Sequence, residues 1–315
     1  MKNPAKSVYQ IRNWREYNAA LKKRGSLALW ISQEAIDQWN SKETTGRRGA
    51  PDRYSDLAIE TMAALQAVLS LPGRQTQGFL ESIFERSNLK LTVPDHSTLS
   101  RRRARLQIEL PVTEGTQARH LVVDSTGVKV YGEGEWKVRQ HGWSKRRTWL
   151  KLHIAAGEAT REILHVYVTT NDIDDGEALV DLLADVPETI SQVSGDGAYD
   201  QRKCYDAIQK RNAKAVIPPR KGAKIWQRAK SGIEPHPRDE NLRSIRKIGR
   251  KQWKKNSNYH RRSLAENVMY RFKTIFGDRL RTRAIKNQFK ELLLKCAVLN
   301  RMTHHGMPES VVIAG

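Results

Sequence analysis

Apolar residues recur along the first hundred residues at the spacing of three to four positions that is typical of amphipathic helices. The pattern predicts helices within residues 8–39, from about residue 54 to 71 and from 74 to about 87, with Leu71-Pro72-Gly73 separating the last two. The core face of the strongest of these helices is marked by Ala58, Ile59, Met62, Leu65, Val68 and Leu69. We therefore expect an all-helical N-terminal domain over residues 1–112.

The third helix predicted in this domain opens at Pro94 and is short and strongly basic. Asp95 or Ser97 would cap it, because their side-chain oxygens can accept hydrogen bonds from the free N–H groups of the first turn. Such a helix suits DNA recognition, since its N-terminus favours phosphate and arginine binds phosphates and guanine edges. The candidate DNA contacts are Ser97, Thr98, Arg101, Arg102 and Arg103. The alternative is a basic, solvated helix that braces the next domain.

Beyond residue 112, shorter apolar runs replace the helical pattern, as expected for strands. Strands are predicted at residues 121–123, 127–131, 148–155, 162–169, 190–194 and 213–217, and helices at 177–184, 199–211, 259–276 and 283–302. Strands in hairpins that are followed by alternating helices and strands fit a ribonuclease-H-like α/β catalytic domain over residues 113–315.

Two of the predicted strands lead into an aspartate. Asp124 follows the apolar run at residues 120–123 and is placed at a turn, and Asp196 follows the strand at residues 190–194. Carboxylates where the strands of a sheet end can converge with a carboxylate from a neighbouring helix, and Glu266 lies on such a helix. Three oxygen ligands of this kind suit Mg²⁺, which keeps open positions for phosphate oxygens and water.

The predicted helix that carries Glu266 has two different faces. At about 100° of rotation per residue, Tyr259, Arg262, Glu266 and Lys273 share one stripe. Apolar residues collect on the opposite face, and Gly277 ends the helix. One carboxylate among two cations and a phenol favours a metal ligand within a phosphate-binding surface over an ordinary solvated face.

The net charge of the chain indicates what kind of partner it binds. The chain has 315 residues, of which 56 are Lys or Arg and 34 are Asp or Glu, so its formal net charge is +22. A protein this basic is expected to meet a polyanion, with an acidic membrane surface as the rival to nucleic acid. The sequence contains no apolar run approaching the ~18–20 residues of a membrane-spanning helix and no signal-peptide pattern. Its two cysteines imply neither a disulfide framework nor a zinc site, and they fit a reducing cytoplasm.

Much of the positive charge lies in one segment. Residues 210–262 contain 18 Lys or Arg and three acids. This segment is either a disordered basic tail or an insertion, at about residues 218–257, that binds a nucleic-acid strand. Its position between Asp196 and Glu266 favours the insertion, part of which could order only on DNA. A second basic tip, residues 142–147, is either a DNA contact or a solvated hairpin.

The spacing Tyr259-x2-Arg262-x3-Glu266-x6-Lys273 resembles the signature of DDE transposases from bacterial insertion sequences. Along its whole length the chain resembles insertion-sequence family five. The stretches that carry this wider resemblance are Asn13-Trp14-x2-Tyr17-Asn18, residues 132–142, residues 216–220 and residues 299–302. The resemblance implies the ribonuclease-H-like fold and favours DNA contact by the third N-terminal helix. In one departure, relatives often carry an acid near the end of the strand at residues 149–156, where this chain has Gly157-Glu158.

By this resemblance Asp124, Asp196 and Glu266 form a catalytic triad that holds two Mg²⁺ ions about 4 Å apart, for which Mn²⁺ can substitute. Without metal the three like charges repel, so a loose site is expected. The implied reaction is hydrolysis at the ends of the element, followed by attack of the freed 3′-hydroxyl on target DNA. The phosphates of the element end would be held by Tyr259, Arg262 and Lys273. The implied partners are double-stranded DNA and further copies of the chain, in the bacterial cytoplasm at the nucleoid.

Two other functions are compatible with the same residues. A different ribonuclease-H-like nuclease could use the carboxylates on branched or hybrid substrates, and it would not need to recognise terminal repeats. A non-enzymatic DNA-binding regulator could use the basic regions alone, and it would tolerate loss of Glu266. The remaining acids near these motifs, together with His141, are interpreted as structural; these acids are Asp172, Asp174, Asp175 and Asp200.

Overall fold

A computed structural model describes residues 8–42, 52–115, 117–131, 149–227 and 235–313 of the chain. The chain divides into two compact units. The first consists of Met1–Gln107 together with Val298–Gly315, and the second is Ile108–Ala297. This grouping differs from the predicted division into residues 1–112 and 113–315, because the last residues group with the N-terminal unit.

The described residues form the following helices and strands. Up to residue 103 they are β1 (Val8–Ile11), α1 (Trp14–Arg24), α2 (Leu27–Trp30), α3 (Gln33–Asp37), α4 (Asp56–Leu69), α5 (Gly73–Arg86) and α6 (His96–Arg103). From there to residue 216 they are β2 (Arg119–Lys129), β3 (Trp149–Gly157), β4 (Ile163–Thr170), α7 (Asp175–Asp185), β5 (Ile190–Ser194), α8 (Arg202–Lys210) and β6 (Lys214–Val216). The last are α9 (Pro237–Ile248), α10 (Arg250–Asn256), α11 (Ser263–Phe276), α12 (Ile285–His304) and β7 (Ser310–Ile313).

Helix α4 is the apolar centre of the first unit, as its periodicity predicts. Ser55 caps it, since the Ser55 hydroxyl accepts a hydrogen bond of 3.1 Å from the Ala58 N–H. Nearby, the indole of Trp39 is fully buried and meets the ring of Phe84 edge-on, with 5.0 Å between ring centroids. The three helices α4, α5 and α6 correspond to the three helices predicted in this part of the chain.

The expectation that the N-terminal region is all-helical is wrong. Strand β1 pairs antiparallel with β7, with Ile11 opposite Ser310, so the first unit contains a two-stranded sheet within the described residues. The Asn13 side chain strengthens this closure by donating to the Met307 carbonyl at 3.0 Å. Sequence periodicity could not reveal a strand of four residues whose partner lies almost the whole chain away.

Among the described residues, the second unit is built on a mixed sheet of five strands in the order β4-β3-β2-β5-β6. Strands β2, β3 and β4 are antiparallel neighbours, and β5 and β6 run parallel to β2. Apolar residues of α7 and α8 share one buried core with residues of β2 and β5, among them Leu121, Leu182, Val193 and Ile208. The unit is therefore a mixed α/β structure.

Strand β2 is longer than predicted. The two strands predicted at residues 121–123 and 127–131, with Asp124 at a turn between them, are one continuous strand. Its middle stays extended because it keeps an antiparallel partner, with Asp124 opposite Ile154 and Gly127 opposite Lys151 of β3. The small polar residues 125–127, which suggested a turn, lie within this ladder.

Helix α11 is shorter than predicted. Residues Tyr259–Arg262 form one turn of 3₁₀-helix, and the α-helix begins at Ser263. It ends at Gly277, whose φ of 75° is a left-handed conformation that glycine adopts at low cost. The buried face includes Val268 and Phe272, as the apolar stripe predicts, and the helix packs against β2 and β3.

The described parts of the predicted basic insertion are folded. Residues 237–256 form helices α9 and α10, so a disordered tail is the wrong interpretation for this stretch. Residues 228–234 and the second basic tip at residues 142–147 lie outside the described residues, as does His141. In the ranges that the structure describes, no helix combines the length and the apolar character needed to cross a membrane.

Candidate active site

The register between two parallel strands brings Asp124 and Asp196 to the same level of the sheet. The last paired residues of β2 and β5 are Val122 and Ser194. Each aspartate follows two residues after its strand's member of this pair. Strand β5 has ended by then, whereas β2 continues along β3. The two carboxylates thus lie at the place where the parallel half of the sheet stops.

The turn that holds Asp196 is tightly built. The Asp196 carboxylate accepts a hydrogen bond of 2.8 Å from the Ala198 N–H and so caps the 3₁₀ turn Gly197–Tyr199. The residue before it must be glycine, because a Cβ at Gly195 would lie 2.7 Å from the buried ring of Tyr199 and 3.1 Å from Val123. Backbone and side chains therefore approach each other closely on the N-terminal side of this carboxylate.

Asp124 is half-buried, and its carboxylate accepts a hydrogen bond of 2.9 Å from the Ser125 N–H. Burial raises the pKa of Asp124 above its usual value, and the neighbouring carboxylates of Asp196 and Glu266 act in the same direction. The Arg262 guanidinium and the Ser125 N–H oppose them. These interactions place all three carboxylates in one electrostatic environment.

Arg262 is the cation at the centre of this environment. Its guanidinium forms an ion pair with the Glu266 carboxylate, and its charge also acts on Asp124 and Asp196. The Arg262 side chain is only 17% exposed, whereas that of Glu266 is 54% exposed. The Arg262 guanidinium carbon also lies 5.9 Å from the centroid of the Tyr259 ring. Five residues predicted from the sequence therefore act on one another electrostatically: Asp124, Asp196, Tyr259, Arg262 and Glu266.

Two aromatic residues support the turn before α11. The ring of Tyr259 packs against the buried indole of Trp253 in α10, with 6.0 Å between ring centroids. The Lys254 ammonium lies 5.0 Å from the centroid of the Tyr259 ring. Because α10 belongs to the predicted basic insertion, that segment directly buttresses the site.

Lys273, the last residue of the predicted signature, lies further away. It is exposed on α11 seven residues after Glu266, which is about 10.5 Å along the helix axis at 1.5 Å per residue. A phosphate bound by Lys273 would therefore lie farther along a bound strand than one that Arg262 contacts.

The donor set suits a hard divalent cation. Carboxylate oxygens are the ligands that Mg²⁺ and Mn²⁺ prefer, and the half-buried position of Asp124 gives an added cation low-dielectric surroundings. Among the described residues, no group of three or more His, Cys, Asp or Glu side chains stands close enough together to hold a metal ion. The pairing of Glu266 with Arg262 supplies a reason, since it engages one of the three carboxylates.

The predicted DNA contacts of the first unit divide into two groups. Arg102 and Arg103 are buried and used internally: Arg102 donates to the Tyr54 carbonyl at 3.0 Å and to Asp56 at 2.7 Å, and Arg103 donates to Gln66. In these positions the two arginines hold α6 within the unit, and their guanidinium groups are not open to a DNA strand.

The remaining three residues keep contact with solvent: Ser97 and Thr98 lie in the first turn of α6, and Arg101 lies in its last turn. Asp95 caps the helix as predicted, accepting hydrogen bonds from the N–H and hydroxyl groups of both Ser97 and Thr98. Arg101 is exposed and donates to the Thr98 hydroxyl at 3.1 Å. A cavity of about 500 Å³ opens here, lined by Asp52, Arg53, Tyr54, Asp95, Thr98, Arg101, Arg102 and Arg105.

One buried ion pair beside the site was missed by the sequence analysis. Asp200, interpreted as structural, pairs with Arg238 of α9 at 2.7 Å, and the two side chains are 1% and 5% exposed. The only signal in the sequence was the position of Asp200 four residues after Asp196. Nothing in the sequence distinguished Arg238 from the other cations of the basic segment.

Comparisons with known proteins identify the family of this chain. A family model described as "Transposase DDE domain" matches residues 115–301, and a second model with the same description matches residues 22–133. One similar solved structure is a piggyBac transposase synaptic complex with hairpin DNA, at 13% identity over 96% of this chain and 78% of that chain, with a TM-score of 0.43. Another is a Drosophila P element transposase strand transfer complex, at 11% identity over 65% and 47% of the two chains, with a TM-score of 0.29.

Both TM-scores lie below 0.5, so these likenesses do not establish a shared fold. The family models do establish membership, because the match to residues 115–301 alone covers more than half of the 315 residues. The chain belongs to the family of DDE transposases.

Proposed function

We propose that this protein binds the terminal repeats of its own mobile element, cleaves the element ends by metal-dependent hydrolysis and joins the freed 3′-hydroxyl to target DNA. The observation that carries the proposal is the register of β2 and β5, which sets Asp124 and Asp196 two residues beyond the last pair of parallel strands. Glu266 and Arg262 act electrostatically on the same place. Family membership supports the same reaction class.

In this proposal Asp124, Asp196 and Glu266 hold two Mg²⁺ ions, for which Mn²⁺ can substitute. When bound, the metal activates the attacking water or 3′-hydroxyl and stabilises the leaving 3′-oxygen. Asp124 must be ionised to serve as a ligand, and its raised pKa gives that ionisation a cost that the cation offsets. The direct transfer requires no covalent intermediate on a Ser or Tyr of the chain.

The chain's cations position the DNA strand. Arg262 is the best placed, since it lies among the three carboxylates and can exchange the Glu266 carboxylate for a phosphate of the element end. Tyr259, whose ring centroid lies 5.9 Å from the guanidinium carbon, assists beside it as a hydrogen-bond donor to the strand. Lys273 binds a phosphate farther along the strand. Arginine is suited to the central position because its planar fork contacts two phosphate oxygens at once.

Further assignments follow the same proposal. Three antiparallel strands followed by two parallel strands support a ribonuclease-H-like fold for the second unit. The spacing of Tyr259, Arg262, Glu266 and Lys273 supports insertion-sequence family five. The net charge of +22 supports double-stranded DNA as the partner, at the bacterial nucleoid. In the first unit, Ser97, Thr98 and Arg101 of α6 are assigned to DNA contact. Pairing of two element ends calls for more than one copy of the chain.

The test is cleavage of a labelled duplex that carries the element's own end, with Mg²⁺ or with EDTA. Metal-dependent nicking at the end is expected for the wild type and, because a charged ligand is lost, a fall of about 1,000-fold or more for Glu266→Gln. Glu158→Gln is the matched control, since Glu158 pairs with Arg261. DNA binding by Glu266→Gln is expected to persist.

The same assay separates the two rival functions. Nicking of any duplex, whether or not it carries the element end, would identify a general ribonuclease-H-like nuclease. Binding of the end without nicking in either Mg²⁺ or Mn²⁺ would identify a regulator that does not cleave DNA.

A further inference from the structure

Asp200 is a buried carboxylate whose two oxygens are both saturated by donors. One oxygen accepts from Arg238 Nε at 2.7 Å and from the Tyr205 hydroxyl at 3.3 Å. The other accepts from the backbone N–H of Arg220 at 2.8 Å and from Arg238 Nη2 at 3.3 Å. The buried charge is thus matched by Arg238, and the same carboxylate fixes the backbone of Arg220.

Arg220 lies directly beside the Asp196 turn. Its Nε donates to the carbonyl of Gly197, the residue that follows Asp196, at 3.2 Å, while the side chain stays exposed to solvent. Because Asp200 is paired with Arg238, the Arg220 guanidinium keeps its positive charge available to a ligand. The result is an exposed cation held at both its backbone and its side chain next to a catalytic carboxylate.

Arg238, the third member of this arrangement, connects the basic segment to the Asp196 turn. Arg238 stacks on the indole of Trp226, with 3.9 Å between the guanidinium carbon and the ring centroid, and donates to the Lys224 carbonyl at 2.8 Å. Asp200 therefore joins α9 and the loop after β6 to the turn that carries Asp196. A displacement of any one of these parts disturbs hydrogen bonds to the same carboxylate.

We propose that Arg220 is a further phosphate contact of the active site, and that Asp200 is the positioning residue that holds Arg220 and the Asp196 turn in one arrangement. The inference rests on the proposed function, because it takes the ligand to be the DNA strand that is cleaved. Guanidinium N–H groups suit phosphate oxygens, and a strand presented to Asp196 passes beside Gly197. Arg220 would thus contact the strand on the side of Asp196, and Arg262 on the side of Glu266.

The first arm of the test compares Arg220→Gln with Lys221→Gln in the nicking assay and in DNA binding by fluorescence anisotropy. Both variants lose one charge from neighbouring exposed residues, but only the first loses the fixed contact. For Arg220→Gln we expect KM to rise about tenfold and the slope of log K against log salt to fall by about one. Arg220→Lys is expected to recover part of the loss. Equal KM values for the two Gln variants would overturn the contact.

The second arm tests positioning with Asp200→Asn. Asn has one acceptor, so its amide NH₂ must face either the Arg220 N–H or Arg238 Nε. In either orientation residue 200 loses one of its two ties, to the Arg220 backbone or to Arg238 Nε. Peptides that cover residues 197–201 and 216–221 should therefore exchange amide hydrogen for deuterium about tenfold faster. Asp206→Asn is the control, because Asp206 is half-exposed on the neighbouring helix α8. Unchanged exchange in Asp200→Asn would overturn the positioning role.

A double-mutant cycle ties the two arms together. If Asp200 acts through Arg220, the double variant Asp200→Asn/Arg220→Gln should have the KM of Arg220→Gln alone, whereas independent effects would multiply. Should Asp200→Asn fold poorly, Tyr205→Phe replaces it in the cycle, because it removes only one neutral donor to the same carboxylate. Wild-type protein that does not nick would refute the proposed function, while anisotropy and exchange would still decide the inference about Arg220 and Asp200.

Discussion

Arg262 forms its ion pair with Glu266, so the cation of the Tyr-Arg-Glu-Lys signature engages the carboxylate of the same signature. The pair neutralises one member of a group of three like charges. In the proposed function it also sets up a competition, because Arg262 binds the carboxylate oxygens of Glu266 that a metal ion would use. Binding of a DNA phosphate by Arg262 would release Glu266, and metal and DNA would then assist each other's binding.

This relationship gives the first prediction. Arg262→Gln should bind Mn²⁺ about three- to tenfold more tightly than wild type in the absence of DNA, since a repelling charge worth about 1 kcal/mol is removed. The same variant should bind DNA more weakly. Electron paramagnetic resonance titration of free Mn²⁺ measures the first effect, and fluorescence anisotropy the second.

Arg261→Gln is the matched control for this prediction. Arg261 is the preceding residue and pairs with Glu158, so its loss removes an equal charge from the same turn. Tighter Mn²⁺ binding by both variants would mean that general charge is responsible and not the competition for Glu266. Weaker Mn²⁺ binding by Arg262→Gln would contradict the competition altogether.

The second prediction concerns the glycine before Asp196. In Gly195→Ala the new methyl group meets the Tyr199 ring and Val123, neither of which has free space to move into. We expect a loss of about 1–3 kcal/mol in the free energy of unfolding. Because the collision lies between the two aspartates, nicking should fall by about tenfold or more while DNA binding persists.

Gly197→Ala provides the comparison on the other side of Asp196. A Cβ there meets its nearest neighbour, the Pro218 carbonyl oxygen, at 3.7 Å, which is an ordinary contact. Urea unfolding and nicking rates of the two variants test the argument. Equal effects from both glycines would show that turn flexibility matters and that the close approach to Tyr199 does not.

The third prediction separates two adjacent arginines of α6. Arg102→Ala should lower the free energy of unfolding by about 2 kcal/mol, because it removes buried hydrogen bonds to the Tyr54 carbonyl and Asp56. Arg101→Ala should leave stability within about 0.5 kcal/mol of wild type and reduce the salt dependence of DNA binding by about one unit of slope. Thermal unfolding and salt titrations measure the two effects, and interchange of the two results would contradict the assignment.

The fourth prediction is a pH dependence of stability from His153. The side chain is 2% exposed, its Nε2 lies 2.9 Å from the Thr169 hydroxyl, and burial lowers its pKa to about 4 despite the opposing charge of Asp175. Between the ordinary pKa of 6.5 and about 4, the unfolded chain binds more protons at this residue than the folded chain does. The contribution of neutral His153 to the free energy of unfolding is therefore fully present above pH 6.5, and it is lost as the pH falls towards 4.

The loss amounts to at most about 3 kcal/mol, at 1.36 kcal/mol for each unit of pKa. Urea unfolding of wild type and His153→Gln at several pH values measures it. The stability difference between wild type and variant should shrink as the solution is acidified through this range. A difference that is constant with pH would show that His153 keeps its ordinary pKa in the folded protein.

The sequence was informative where a local pattern suffices. The helix that carries Glu266, its end at Gly277 and its buried face could all be read from periodicity. The approach of Asp124 and Asp196 was foreseen from their places at apolar runs, although the turn at Asp124 is wrong because β3 supplies a partner that keeps β2 extended. The catalytic roles of these residues stay predictions that the experiments above address.

What the sequence could not reveal depends on partners that are distant along the chain. The run of arginines in α6 reads as a solvated, DNA-facing surface, but Arg103 meets an acceptor 37 residues earlier and Arg102 one 48 residues earlier. Asp200 and Arg238 are 38 residues apart within a segment that carries many equivalent cations. Composition gives the charge of such a segment, whereas packing decides which charge becomes buried.

The pairing of β1 with β7 also constrains the order in which the protein is completed on the ribosome. Asn13 donates a hydrogen bond to the carbonyl of Met307, which is synthesised 294 residues later. Arg24 likewise donates to the carbonyls of Met302 and Gly306. The entire second unit, Ile108–Ala297, is synthesised before those partners exist. A nascent chain halted between Ala297 and His304 would therefore already contain the whole second unit with all three carboxylates, while its N-terminal strand still lacked a partner. Such a prematurely terminated product would be defective in the first unit.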